Sequence, residues 1–251
     1  MSGHSKWSTI KRKKAANDAK RGAVFTRLAR EIAIAAREGG GDLDTNFNLR
    51  LAVDRAKAEN MPKDNIERAI KRGTGEDKDA AALEQIMYEG YGPNGVAMMI
   101  DVVTDNRNRT VAELRHVLSR VGGNLAESGA VSWQFKRSAY FAFPAEGHDP
   151  DQVFEVAVDA GADDVMIGDD DIEIFASVSQ FKSVSDALKA AGIEPEEAGL
   201  RMIPNAMMEL PADQTVKVMR LMEDLEENED VQQVYSNLNI TEDAITLLEA
   251  A

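Results

Sequence analysis

The sequence predicts a multidomain α+β fold that starts with a basic helical segment. Three observations indicate it: residues 1–78 show helical periodicity, residues 79–137 change to strand-like runs, and residues 138–203 alternate strands with helices. The chain has 251 residues, which suits two or three domains of roughly 100–200 residues each. We therefore expect a basic helical bundle at 1–78, a discontinuous α+β domain at 79–137 and 204–251, and an inserted domain at 138–203.

Helical periodicity and its stop signals define the N-terminal segment. An apolar stripe from Phe25 to Ala36 predicts a helix that ends at Gly39-Gly40-Gly41. A second apolar set, from Leu49 to Ala56, follows the start signal Asp44-Thr45-Asn46. Pro62 suits the first turn of a third helix.

The two ends of this segment carry further expectations. The segment from Ser8 to Lys20 consists mostly of basic residues and alanine, and it is expected to form another helix. Trp7 is expected to pack into the bundle and hold this helix there. Gly73-Thr74-Gly75, together with the residues up to Ala80, is expected to be a linker, because glycine and polar residues interrupt regular structure.

The middle of the chain has the composition of a hairpin followed by a helix. Two β-rich runs flank the turn signal Gly92-Pro93-Asn94-Gly95, and they predict paired strands. Thr110 and Glu113 fit a capping box, so a helix is expected to start there. The expected elements are strands at Gln85–Tyr91 and Val96–Thr104, a helix ending at Val121, and a strand at Val131–Lys136.

From Tyr140 onward the expected order is βαββαβ, which is the split βαβ or ferredoxin-like pattern. The expected elements are a strand at Tyr140–Phe143, a helix after Asp149-Pro150, strands at Val165–Ile167 and Ile172–Ala176, a helix at Phe181–Ala191 and a strand at Gly199–Ile203. A short strand (Met207–Leu210), a helix (Ala212–Glu227) and a strand (Val231–Ser236) follow. These last elements lack a sheet of their own. The simplest prediction is that they belong to the middle domain, and that the ferredoxin-like domain is inserted between the two halves of that domain.

Charge is distributed unevenly along the chain. The formal net charge is −15, but residues 1–78 hold 18 basic and 11 acidic groups, whereas residues 79–251 hold 11 basic and 33 acidic groups. The first 30 residues contain nine basic groups and one acidic group. This asymmetry indicates contact between one end of the chain and a polyanion such as nucleic acid.

Residues that commonly carry catalysis or bind metals are sparse. There is no cysteine, which excludes disulfides, thiolate zinc sites and thiol nucleophiles, and none of the three histidines lies in a recognised nucleophile motif. Gly90 to Gly95 matches GxGxxG, but Pro93 lies inside it and a β-rich run follows, so a turn is favoured over a dinucleotide site. Asp169-Asp170-Asp171 lacks EF-hand spacing and is interpreted as a hairpin turn rather than a metal site. We expect no enzyme activity, no cofactor, no metal and no small-molecule substrate.

Arg107 and Arg109 form a candidate secondary anion site. They flank Asn108 next to the start of an expected helix, where guanidinium groups and free N–H groups suit a phosphate or a carboxylate. The alternative is that Asp105 and neighbouring acids neutralise both arginines within the fold, and internal pairing is slightly favoured.

Several long strings, distributed over nearly the whole chain, resemble one family. They include His4-Ser5-Lys6-Trp7, Asn60-Met61-Pro62-Lys63-Asp64-Asn65-Ile66, Tyr88-Glu89-Gly90-Tyr91-Gly92-Pro93, Thr104-Asp105-Asn106-Arg107-Asn108-Arg109-Thr110, Gly122-Gly123-Asn124-Leu125 and Asp230-Val231-Gln232. On these strings the chain resembles the YebC family. The resemblance implies the three-domain architecture above and a probable DNA-binding transcriptional regulator. It also leaves open a ribosome-associated translation factor, or translational activator, that binds ribosomal RNA and aids synthesis of proline-rich stretches.

The expected function is therefore nucleic-acid binding through the basic segment, by a protein with no membrane span. No apolar run approaches the roughly 20 residues of a membrane helix, and the N-terminal residues lack the apolar core of a secretory signal, so the expected location is cytoplasmic. Lysine and arginine would neutralise phosphates and give salt-sensitive binding. The expected nucleic-acid-binding residues are Lys6, Lys11, Arg12, Lys13, Lys14, Lys20, Arg21, Arg27, Arg30, Lys71 and Arg72.

Overall fold

A computed structural model describes residues 18–77, 81–169 and 171–249. Within them the protein is α+β, with eight α-helices and two four-stranded sheets. The helices are α1 (Asp18–Gly39), α2 (Phe47–Ala58), α3 (Lys63–Thr74), α4 (Arg107–Arg120), α5 (Pro150–Asp159), α6 (Phe181–Ala190), α7 (Ala212–Glu226) and α8 (Glu242–Glu249). The strands are β1 (Glu84–Tyr91), β2 (Ala97–Thr104), β3 (Asn124–Leu125), β4 (Phe135–Pro144), β5 (Ala162–Ile167), β6 (Asp171–Ala176), β7 (Glu197–Pro204) and β8 (Val231–Ser236).

The described residues form two compact units. The first combines residues 18–77 and 81–131 with 216–234, and the second combines residues 132–169 and 171–215 with 235–249. The boundaries of the three-domain division expected from the sequence stay a prediction.

In the first unit, helices α1, α2 and α3 share an apolar core. The stripe expected on α1 is present, because Ile32 and Ala36 are buried and Phe25 and Leu28 pack against the same cluster. Asn46 begins α2: its side-chain oxygen accepts from Leu49 N at 3.1 Å, while its amide donates to Ala35 O and Gly40 O, both at 2.7 Å. The start signal for α2 is confirmed.

The same unit contains the sheet with strand order β3-β1-β2-β8. Strands β1 and β2 form the expected antiparallel hairpin, with Tyr91 opposite Ala97. The glycine-rich segment between them is a turn in which Asn94 and Gly95 have φ angles of 61° and 80°. A strand follows, not a helix, so the turn interpretation of the GxGxxG match is confirmed.

The second unit contains the sheet with strand order β5-β6-β4-β7, and each neighbouring pair is antiparallel. Its elements follow one another in the order β4-α5-β5-β6-α6-β7. The Phe141 ring on β4 packs against the Phe181 ring on α6, with the centroids 4.8 Å apart. Asp149 begins α5 and accepts a hydrogen bond from Asp151 N, as its position before Pro150 predicts.

Some elements differ from the sequence-based expectation. The strand expected at Val131–Lys136 is wrong over its first part, where Ser132–Gln134 form a 3₁₀ turn, and Phe135–Lys136 belong to the same strand as Tyr140–Phe143, β4. The strand expected at Met207–Leu210 is a single bridge from Met208 to Leu238. The helix at Glu242–Glu249 and the two-residue strand β3 were not expected. The helix expected at Ser8–Lys20 lies mostly outside the described residues, as does Trp7.

Gly73 was expected to start a linker, but it lies inside α3, which continues to Thr74 and ends at Gly75 with a φ of 77°. A Cβ atom at Gly73 would lie 2.3 Å from Ala33 O and 2.7 Å from Ala36 Cβ, both on α1. Glycine is therefore required here by the close approach of two helices, and its presence does not mark a break in the chain.

We expect Gly73→Ala to destabilise the protein, because α1 and α3 must separate to admit the methyl group. Overpacking of this kind costs about 1–3 kcal/mol, which exceeds the gain of about 1 kcal/mol in helix propensity. The matched control is Gly22→Ala on α1, where a Cβ atom meets nothing within 4 Å. Urea denaturation measures both variants, and equal stabilisation by the two substitutions would contradict the packing argument.

Candidate nucleic-acid interface

The basic residues expected to bind nucleic acid, and the two expected to form a secondary anion site, fall into three groups in the structure. Lys6, Lys11, Arg12, Lys13 and Lys14 lie outside the described residues. Lys20 and Arg21 lie on α1, and only their backbone is described. The positions of Arg27, Arg30, Lys71, Arg72, Arg107 and Arg109 are described in full, and they have contrasting surroundings.

Arg27 and Arg30 of α1 are directed into the first unit. Arg27 donates to Glu226 O at 3.3 Å, at the C-terminal end of α7. Arg30 donates to the backbone oxygen of Glu229 and forms an ion pair with Asp230 at 2.9 Å, and only 13% of its side chain is exposed. Both guanidinium groups therefore help to attach α1 to the segment that joins α7 to β8.

Asp230 is the centre of this contact. One of its carboxylate oxygens, Oδ2, accepts from Thr104 Oγ1 at 3.0 Å, Thr110 Oγ1 at 2.6 Å and Arg109 at 2.8 Å. The other oxygen, Oδ1, faces Arg30. Its side chain is 4% exposed. The carboxylate therefore joins α1, the end of β2, the start of α4 and the residue before β8.

The surroundings of Asp230 hold it in its charged form. Burial alone would raise the pKa of this carboxyl group, but hydrogen bonds from Arg109, Thr110 and Thr104 and the charge of Arg30 outweigh burial and lower the pKa below its ordinary value. In return, the hydrogen bond and the charge of Asp230 raise the pKa of Arg109. Arg109 and Asp230 are thus an ion pair with a structural role.

The start of α4 differs from the expected capping box. Asn106 is the capping residue, with its side-chain oxygen accepting from Arg109 N at 3.1 Å. Thr110 is fully buried in the first helical turn, where its hydroxyl oxygen also lies 2.9 Å from Thr104 Oγ1. The spacing of Thr110 and Glu113 predicted Thr110 as the capping residue. Its hydroxyl instead binds Asp230, which is 120 residues away and could not be inferred from local spacing.

The two arginines of the candidate anion site have different surroundings. Arg109 forms ion pairs with Asp105 at 3.2 Å and with Asp230. It therefore follows the alternative in which acidic groups within the fold neutralise the arginine. Arg107 is the exposed first residue of α4 and forms no ion pair within the described residues. Its part in an anion site stays a prediction.

The described part of the helical bundle has an exposed basic surface on α3. Lys71 is exposed there, and so is Arg68, which lies one turn away and which the sequence-based site omitted. Neither has an ion-pair partner in residues 18–77, 81–169 and 171–249. Arg72 is half-buried and donates to Ala81 O at 3.0 Å. The helical spacing of Arg68 and Lys71 is a signal that could have identified Arg68.

Two other classes of site were searched among the residues that the structure describes. They contain no group of three or more His, Asp or Glu side chains arranged to hold a metal ion. No helix among them is both long and apolar enough to cross a membrane.

Comparison with known proteins gives matches over nearly the whole chain. Residues 5–76 match the N-terminal domain of the TACO1/YebC protein family, and residues 83–238 match its second and third domain. A probable transcriptional regulatory protein of Acidithiobacillus ferrooxidans is 52% identical over 250 residues, covering 100% of this chain and 99% of the relative. One of Chlorobaculum tepidum is 50% identical, covering 99% of each chain. The crystal structure of a conserved hypothetical protein from Aquifex aeolicus has a TM-score of 0.83 at 41% identity, covering 90% of this chain and 93% of that one.

We expect Asp230→Asn to destabilise the protein by about 3–5 kcal/mol, the usual cost of breaking a buried ion pair. The effect should depend on pH. Because its pKa is lowered in the folded protein, Asp230 stabilises the fold above the ordinary value of 3.8, and this stabilisation is lost as the pH falls below that value. The variant should therefore lose less stability than the parent protein between neutral and acidic pH.

The measurement is urea denaturation at a series of pH values, and the control is Glu227→Gln, an exposed carboxylate three residues away. If both variants follow the pH dependence of the parent protein, Asp230 does not hold these elements together.

Proposed function

The chain belongs to the TACO1/YebC family, and from that premise we propose that it is a non-enzymatic regulator of gene expression that binds DNA with its basic N-terminal segment. The proposal takes its target from relatives named probable transcriptional regulatory proteins. The charge distribution carries it: nine basic groups and one acidic group occupy the first 30 residues of a chain with a net charge of −15.

Phosphate neutralisation supplies the physical mechanism. Lysine and arginine side chains release counterions from the nucleic acid when they bind, which makes the affinity strongly salt-dependent and mostly independent of sequence. Arg68 and Lys71 support this mechanism in the described part of the bundle, since both are exposed and have no ion-pair partner there.

Arg27, Arg30 and Arg109 are assigned a different task in this proposal. Their guanidinium groups contact backbone oxygens or Asp230, and Arg30 is largely buried. A phosphate would have to displace these partners and leave Asp230 without its counter-charges. We therefore assign phosphate contact to Lys6, Lys11, Arg12, Lys13, Lys14, Lys20, Arg21 and Lys71, with Arg68 added.

The acidic remainder of the chain is compatible with this task. Residues 79–251 carry a net charge of −22, which repels a phosphate backbone at short range. Salt screens such repulsion over about 8 Å at physiological ionic strength, so acidic surface beyond that distance has little effect.

We expect replacement of Lys11, Arg12, Lys13 and Lys14 by alanine to weaken binding of duplex DNA and to flatten its salt dependence. Each lost phosphate contact should reduce the slope of log K against log salt by about 0.9, so the four together should remove up to about 3.6. The control replaces Lys136, Arg137, Lys182 and Lys189, which produces the same change in net charge in the second unit. Equal slopes for the two variants would refute the assignment to the basic segment.

A second experiment tests DNA as the target against ribosomal RNA. Tagged protein is sedimented through gradients of cell lysate with and without nuclease, and DNA affinity is measured in parallel. Nuclease-sensitive migration away from ribosomes, with salt-dependent DNA binding, is the expected result. Migration with ribosomes, together with a poor affinity for DNA, would overturn DNA as the target in favour of ribosomal RNA.

A further inference from the structure

Helix α5 and strand β5 of the second unit carry exposed apolar side chains. Phe154 and Val158 lie one turn apart on α5 and are 48% and 45% exposed. Ile167, the last residue of β5, is 48% exposed. Single exposed apolar residues are common on protein surfaces, whereas several large ones on two elements in contact indicate an interaction surface.

Phe154 and Val158 lie on the flank of α5 that is turned away from α6. Each follows a buried residue of α5, Val153 or Ala157, so each lies about 100° around the helix from the buried face. Helix α5 packs against both α6 and β5. Because Phe154 and Val158 are exposed, they are outside the contact with α6 and border the open side, where β5 is the outermost strand.

Ile167 lies on the same side of the sheet as α5. It is opposite the buried Ile172 of β6, which is in turn opposite Phe143 of β4. Phe143 is two residues from Phe141, whose ring packs against α6, and residues two apart in a strand share a face. Since α5 packs beside α6, the exposed apolar groups form one surface, named here the α5–β5 surface and defined by Phe154, Val158 and Ile167.

The outer edge of β5 pairs with no further strand among the residues that the structure describes. Gly168 N donates to Asp171 O at 2.8 Å, so Gly168 is directed towards β6. Backbone groups alternate in direction along a strand, which turns those of Ile167 and Val165 outward. Asp164 Oδ1 accepts from Val165 N at 2.9 Å, which leaves the Val165 carbonyl and both backbone groups of Ile167 for an added strand.

The α5–β5 surface lies in a segment without positive charge. Residues 138–181 contain eleven acidic residues and no lysine or arginine. Three exposed acids follow one another at one-turn spacing on α5, on the face next to Phe154 and Val158, and these α5 carboxylates are Asp151, Glu155 and Asp159. Negative charge beside an exposed apolar surface favours a partner that is both basic and apolar.

We propose that the α5–β5 surface binds an extended, lysine- or arginine-rich segment of a partner protein, which adds a strand to the outer edge of β5. Apolar side chains of this segment contact the three apolar side chains of the surface, and its basic side chains face the α5 carboxylates. Main-chain hydrogen bonds to the edge give affinity, and alternate side chains give specificity. The proposal goes beyond nucleic-acid binding and does not depend on it.

Charge and sequence distinguish this occupant from three others. A nucleic-acid strand would bring phosphates next to the α5 carboxylates, and a second copy of the chain pairing through the same edge would bring the same carboxylates. The basic segment of the chain itself is expected to be helical from Ser8 to Lys20 and consists there mostly of basic residues and alanine. It therefore lacks the large apolar side chains at alternate positions that this surface would contact.

The probe is a labelled peptide of about ten residues in which lysine alternates with valine, which matches the alternation of side chains along a strand. It is titrated into the full-length protein, and circular dichroism verifies that each variant is folded. The apolar variant is Phe154→Ala/Val158→Ala, and its control replaces two exposed apolar residues elsewhere in the second unit, Met207→Ala/Leu247→Ala.

The acidic variant is Glu155→Gln/Asp159→Asn, and its control replaces two exposed acids elsewhere in the same unit, Glu194→Gln/Glu209→Gln. A second peptide, in which glutamate alternates with valine, has the same apolar side chains and the opposite charge. Amide hydrogen exchange at Ile167 is measured with and without the lysine–valine peptide.

We expect the apolar variant to bind the lysine–valine peptide about tenfold more weakly than the parent protein, because two apolar contacts are lost. The acidic variant should also bind more weakly, and its affinity should fall less steeply with added salt. Both controls should match the parent protein, and the glutamate–valine peptide should bind poorly. Exchange at Ile167 should slow in the complex, because its N–H gains an acceptor.

Equal affinities for the apolar variant and its control, or unchanged exchange at Ile167 in the saturated complex, would overturn the α5–β5 surface as the site. Equal binding of the two peptides would overturn a basic partner. Dimerisation of the parent protein that the apolar variant abolishes would assign the surface to a second copy.

Failure of the parent protein to bind the lysine–valine peptide would also overturn the proposal. If replacement of Lys11, Arg12, Lys13 and Lys14 by alanine then restored binding, the surface would be assigned to the basic segment of the chain itself. No nucleic acid enters these measurements, so their failure leaves the proposed function to its own tests.

Discussion

The buried carboxylate of Asp230 is the constraint on which the first unit depends. Removing such a charge from water costs several kcal/mol, and it is retained only because two hydroxyl groups and two guanidinium groups surround it. Those partners come from α1, β2 and α4, so the ion pairs connect the helical bundle to the sheet. The position of the first turn of α4 follows from this connection.

The same constraint divides the arginines and lysines by role. Arg30 and Arg109 neutralise Asp230, Arg27 contacts the end of α7, and Arg37 donates to Leu83 O ahead of β1. An apolar cluster that includes Ala33, Ile34, Leu83 and Val103 accompanies these polar contacts. Cations with such partners hold the fold together, whereas Arg68 and Lys71 are exposed and form no ion pair among the residues that the structure describes. The two sets are interleaved in sequence, so charge counting alone does not separate them.

Local patterns predicted most of the elements, because hairpins and helix starts are encoded by neighbouring residues. The β1–β2 hairpin, the start of α2 at Asn46 and the start of α5 at Asp149 follow from turn and capping residues within a few positions. Errors arose where a distant partner decided the local structure. Gly73 is a glycine because Ala33 approaches it across the bundle and not because the helix breaks there, and Thr110 is buried where its hydroxyl binds Asp230.

The sequence by itself determined the α+β class, most of the order of strands and helices, the family and the separation of a basic N-terminal segment from an acidic remainder. These properties depend on periodicity, composition and motif strings, all of which are local or additive along the chain. Only the tertiary structure decided which cations of the described residues form ion pairs and which groups from distant parts of the chain lie together. The pairing of Asp230 with Arg30, 200 residues away, and with Thr110, 120 residues away, depends on how elements pack, and no spacing in the sequence records that packing.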